Sequence, residues 1–89
     1  MAVVFIFDVP GAGQEEYDAV MEKLGPSAPG RLYHVAGPVE EGWKVVDVWE
    51  TQEAFEEFLA ERLLPIARQV GFFASLPESF PVYNAVPGE

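Results

Sequence analysis

The chain has 89 residues and a mass of 9.8 kDa, enough for one hydrophobic core but not two, since a core of fewer than about 40 residues rarely holds without a disulfide, metal or partner. Fifteen acidic against five basic residues give a net charge of -10, which repels phosphate backbones and anionic lipid headgroups and argues against nucleic acid or a membrane as partner. With no cysteine and one histidine, disulfides, thiolate nucleophiles, zinc-thiolate sites and clusters of imidazoles are excluded, and neither a metal site nor a bound cofactor is expected. The expectation is one domain over residues 1–89.

The first segment, Val3 to Val9, is β-branched and aromatic and stops at Pro10-Gly11, which reads as a strand covered on both faces. Its apolar run is too short to cross a bilayer and lacks the basic flank and cleavage pattern of a signal peptide, so the cytoplasm is the expected location. From Gln14 the spacing turns helical, with Tyr17, Val20, Met21 and Leu24 on one stripe, acidic residues in the first turn and Gly25-Pro26 as the stop. Arg31 to Ala36 and Trp43 to Trp49 follow as two strands around a turn at Gly37 to Gly42. Thr51 is placed to cap a second helix with stripe Phe55, Phe58, Leu59, Leu63, Ile66 and Val70, ending at Gly71. Pro65 interrupts that helix, because it has no N–H to donate and crowds the carbonyl of Glu61, so the helix must kink or restart there. Phe80 to Val86 reads as a last strand, with Pro81 marking an edge or a bulge.

The order β-α-β-β-α-β is the split arrangement of an α+β, ferredoxin-like domain: a four-stranded antiparallel sheet with both helices on one face. The other face carries apolar side chains with no helix to cover them. Packing it on the same face of a second copy would bury it, and a two-fold homodimer is the commonest symmetric way to do so.

Three stretches resemble a known family: Phe7-Asp8-Val9-Pro10-Gly11 before Glu15-Glu16-Tyr17; Gly42-Trp43-Lys44-Val45-Val46-Asp47-Val48-Trp49-Glu50; and Ala54-Phe55 with Phe58 and Leu63-Leu64-Pro65. Together they resemble small bacterial proteins of the dimeric α/β-barrel superfamily related to antibiotic biosynthesis monooxygenases. The resemblance implies a homodimer whose sheets form a barrel, with a pocket between each sheet and its own helices. It does not imply one activity, since the superfamily includes cofactor-free oxygenases acting on polycyclic phenols, haem-degrading enzymes, isomerases and decarboxylases. Relatives often carry a His-Asn pair on the last strand. The matching positions here are Tyr83 and Asn84, which would donate to an oxyanion but bring no histidine.

Two residues are candidates for catalysis. Histidine is the side chain whose ordinary pKa lies near neutrality, so His34 is the first choice for a general base; the plainer reading is a strand histidine bonded for structure. Asp47 sits between Val46 and Val48, where a carboxylate needs a donor or a bound proton. It either accepts from a ligand or from His34, or it ties down a loop amide or Arg31. Whether the two share a face depends on the hairpin register. A three-residue loop ending at Gly42, which the glycine favours, sets His34 opposite Val48 and groups Tyr33 with Asp47 and Trp49. A four-residue loop places His34 on the face of Asp47 and Trp43.

Trp43 and Trp49 share parity and, with Tyr33 or Phe5, would form an aromatic wall for a planar ligand, or else belong to the core. The row Glu50, Glu53, Glu57 and Glu61 reads as a solvated face, and Gly11-Ala12-Gly13 as a connection. Two functions fit: a dimer that binds or transforms a hydrophobic or aromatic small molecule, monooxygenase-like and without a bound cofactor, or a non-enzymatic dimeric accessory or ligand-sequestering module.

Overall fold

A computed structural model describes residues 1–88. Strand β1 (Val3–Pro10) leads into helix α1 (Gln14–Leu24), then β2 (Arg31–Val39) and β3 (Gly42–Trp49) form a hairpin. Helix α2 (Gln52–Phe58) passes through a π-helical turn (Leu59–Leu63) into α3 (Leu64–Val70), and β4 (Glu78–Pro81) closes the chain. The strands lie in the order β2-β3-β1-β4, every neighbouring pair antiparallel. This is the ferredoxin-like arrangement expected from the sequence.

Alternation along the two central strands decides which face is covered. Phe5, Phe7 and Val9 of β1 and Trp43, Val45, Asp47 and Trp49 of β3 are buried, on the side that also receives Val20 and Leu24 from α1 and Phe55 and Phe58 from α2. A Phe or Val taken fully out of water contributes about 1.5–3 kcal/mol, so this shared face carries most of the cohesion. Phe5 stacks on Phe55 with centroids 3.9 Å apart.

The helix ends follow local chemistry. The Glu16 carboxylate reaches back to the Gly13 N–H at 2.8 Å, and Thr51 Oγ1 accepts from the Ala54 N–H at 3.0 Å, each satisfying an orphan donor of a first turn. Pro65 resolves as a restart. It stands in the first turn of α3, where its missing N–H costs least, and the preceding turn widens to π geometry.

Three expectations need correction. The hairpin turns on Glu40-Glu41 alone: Val39 pairs with Gly42 and His34 with Asp47, so neither expected loop length holds; the grouping of Tyr33 with Asp47 and Trp49 falls with the first, while the face shared by His34, Asp47 and Trp43 is as the second would give it. Gly42 is the first residue of β3, and its missing side chain makes room for β1, since a Cβ there would lie 2.3 Å from the Val9 carbonyl oxygen. Strand β2 runs on to Val39, past the expected end at Ala36. The last strand is Glu78–Pro81, not Phe80 to Val86; Pro81 pairs with Val3, and pairing ends one bond later at Val82 N–H to the Ala2 carbonyl.

Candidate functional site

Because His34 and Asp47 are direct partners across β2 and β3, both point to the helix-covered face. Asp47 Oδ1 lies 2.6 Å from His34 Nδ1, and the Trp49 Nε1–H donates to Asp47 Oδ2 at 3.3 Å. This answers what a buried carboxylate in a valine run is doing: two donors offset its desolvation. On the other side of the imidazole, the Tyr17 hydroxyl lies 2.5 Å from His34 Nε2. With Asp47 ionised and the imidazole neutral, Nδ1 donates and Nε2 accepts, so the Tyr17 O–H points its proton at the imidazole. The result is a directed chain, Tyr17 to His34 to Asp47, braced by Trp49.

Tyr17 comes from the first half of α1, where the stripe spacing turns it toward the sheet. Its ring packs on Trp43 at 5.3 Å between centroids and on Phe72 at 6.3 Å. Burial raises the Tyr17 pKa above the ordinary tyrosine value; the Arg31 charge opposes the rise, and Asp47 and Asp18 add to it. The phenol therefore stays protonated at neutral pH and available as a donor.

Tyr17, His34 and Asp47 all border a cavity of about 500 Å³ between the sheet, α1 and the α2–α3 helix. Its walls are mostly apolar, with Phe7, Met21, Phe58 and Leu63 among them, and the loop from Phe72 to Pro77 lines it as well. That loop is tied to the sheet by Ser75, whose N–H donates to the Asp8 carbonyl at 2.9 Å, while Phe73 and Leu76 remain exposed. A largely apolar hollow with a few convergent polar groups is the usual form of a small-molecule site. Among the described residues no three acidic or histidine side chains converge as a metal site would require.

The other expected site residues lie elsewhere. Trp49 is wholly buried and reaches the site through Asp47 and through the Phe58 ring, on which it packs at 5.1 Å between centroids. Trp43 backs Tyr17 without lining the cavity, and its buried Nε1–H has no acceptor among the described residues. Tyr33 projects from the opposite face and is exposed, as are Tyr83 and Asn84 beyond β4. The aromatic wall is built instead from Phe7, Tyr17, Phe58, Phe72 and Phe73. Tyr17 is the cavity residue that sequence reasoning passed over; the available signal was a hydroxyl on a core-facing stripe, which must find a partner when buried.

No family model matches the chain, and no curated protein matches it in sequence. Solved structures do match. An antibiotic biosynthesis monooxygenase-like protein from Chloroflexus aurantiacus superposes with a TM-score of 0.72 at 11% identity, covering 98% of each chain. SnoaB, a cofactor-independent oxygenase from Streptomyces nogalater, gives 0.64 at 19% identity, over 98% of this chain and 96% of its own. The heme-degrader MhuD from Mycobacterium tuberculosis, solved with two hemes in its active site, gives 0.59 at 28% identity, over 98% of this chain and all of its own.

Proposed function

We propose that this chain, whose fold is that of the antibiotic biosynthesis monooxygenase-like proteins, is a homodimer that binds a phenolic or enolic aromatic molecule in the cavity and ionises it for reaction with dioxygen, without a bound cofactor. The observation that carries the reading is the directed chain Tyr17–His34–Asp47 opening onto an apolar hollow. A substrate hydroxyl seated against the Tyr17 oxygen passes its proton to Tyr17 as Tyr17 passes its own to His34 Nε2, and Asp47 stabilises the imidazolium that forms. The resulting phenolate or enolate is electron-rich enough to reduce dioxygen. For a ring CH2, one oxygen atom becomes the new carbonyl and the other leaves as water with the two hydrogens.

Haem fits less well. The chain has one histidine, and both of its ring nitrogens are engaged, so an axial imidazole would require Tyr17 to be displaced from Nε2.

The dimer is supported by the face away from the helices, where Tyr33, Val48, Val4 and Phe80 form one row across all four strands and Val35, Val46 and Ile6 a second. Tyr33, Val35 and Phe80 are 68%, 62% and 52% exposed, a patch that isolated soluble domains rarely leave open.

Oxygen uptake with a hydroxyanthrone tests the chemistry. The expected result is catalysed uptake that falls roughly 10²–10⁴-fold in His34→Gln, the usual contribution of a general base. Uptake no faster than in buffer would overturn the oxygenase reading and leave a binding module, a role consistent with the chain being satisfied internally.

A further inference from the structure

The cavity differs in charge from the rest of the molecule. The chain carries three acidic residues for every basic one, yet the cavity is bordered by two arginines, Arg31 and Arg68, against a single carboxylate, Asp47. That carboxylate is already committed to His34 and Trp49. Neither arginine forms an ion pair or a side-chain hydrogen bond among the described residues, where the ion pairs are His34 with Asp47 and Lys44 with Asp8. Arg62, by contrast, is fully employed, donating to the carbonyls of Ser27 and Leu24 at the end of α1 and lying over the Phe58 ring.

In a chain with so many carboxylates, two guanidiniums without one on a cavity wall are an arrangement with a chemical meaning. Arg31 is half-buried at the start of β2, on the strand that carries His34. Its charge is close enough to be felt at the Tyr17 hydroxyl. Arg68 comes from α3, one residue after Ala67, and stands exposed at the rim of the cavity. A guanidinium is more weakly hydrated than an ammonium and presents a planar fork that matches a carboxylate.

Building on the site proposed above, we infer that the molecule it takes is an aromatic carboxylic acid, its anionic group held by Arg31 and Arg68 while its hydroxyl meets Tyr17. The arginines then do two things. They select acids over neutral aromatics, and they draw an anion into a protein whose overall charge repels it. Anchoring the carboxylate also orients the ring, so that the hydroxyl to be ionised is the one that reaches Tyr17.

The test compares a hydroxynaphthoic acid, with hydroxyl and carboxylate on opposite rings, and its methyl ester, by isothermal titration against the wild-type protein. The expected result is that the acid binds at least about tenfold more tightly than the ester, that this preference disappears in Arg31→Gln and shrinks in Arg68→Gln, and that it weakens with added salt. The wild-type ratio decides the matter even if a variant folds poorly. Equal binding, or tighter binding of the ester, would overturn the inference and leave the cavity as a site for neutral aromatics. Binding of neither up to millimolar concentration would overturn both.

Discussion

At the scale of single residues the site turns on which nitrogen of His34 holds the proton, and Asp47 sets that. Asp47→Ala leaves His34 Nδ1 and Trp49 Nε1 without an acceptor; unmet buried donors cost about 1–3 kcal/mol each, so urea unfolding should show a loss of about 2 kcal/mol or more. Asp47→Asn is the sharper probe. An amide can still accept from Trp49, but its NH2 makes Nδ1 the acceptor and leaves Nε2 protonated toward Tyr17, so the proton path is reversed while the fold is kept. Oxygen uptake should fall as far as in His34→Gln, with a smaller loss of stability than in Asp47→Ala. Tyr17 makes a pH prediction. Its folded pKa is raised, chiefly by burial, so the unfolded chain loses this proton first, and stability present below the ordinary tyrosine value of about 10 is lost as pH rises through the folded value. Thermal melts of Tyr17→Phe should lose less stability than wild type between pH 9 and 11, roughly the window around that value. His34 and Asp47 were legible in the sequence because each is chemically out of place in a strand. Tyr17 was less so, because its one signal, a hydroxyl on a core-facing stripe, names no partner until the register across the sheet is known.

Among the elements, the order and the two helices could be read directly, since hydrophobic spacing and caps are local signals. The hairpin register could not. Gly42 looks like the left-handed end of a three-residue loop, yet it serves as a strand residue pressed against β1, a contact between segments more than 30 positions apart. Gly42→Ala should therefore cost about 1–3 kcal/mol from overpacking against β1, and more if β1 cannot move away from the added Cβ; chemical denaturation measures it. A register moved by one residue would separate His34 from Asp47, so the same variant should also reduce oxygen uptake. Pro65 shows the opposite case, in which one residue announces its own disturbance. The π turn before it keeps Leu59 and Leu63 on the cavity wall together with Leu64, Ala67 and Arg68. The last strand was misplaced because Phe80 and Val82 suggest a start where pairing in fact ends, with Tyr83 already beyond the sheet.

For the whole molecule, the two faces of the sheet have separate tasks: one holds the core and the cavity, the other an apolar ladder with no cover of its own. Light scattering at micromolar concentration should give a mass near twice 9.8 kDa, and Val48→Glu, in the middle of the ladder row Tyr33–Val48–Val4–Phe80, should return it to the single-chain value. That variant leaves Tyr17, His34 and Asp47 in place, so any loss of oxygen uptake would show that the site needs the pair. The proposed activity stands on the cavity receiving an aromatic hydroxyl and removing its proton through Tyr17 and His34. The most direct measurement is the absorption spectrum of a naphthol titrated with the protein at neutral pH, because naphthol and naphtholate absorb at different wavelengths. The bound naphthol should show the naphtholate band, and Tyr17→Phe should bind it with the neutral spectrum; a wild-type complex showing only neutral naphthol would mean that Tyr17 and His34 do not take the proton.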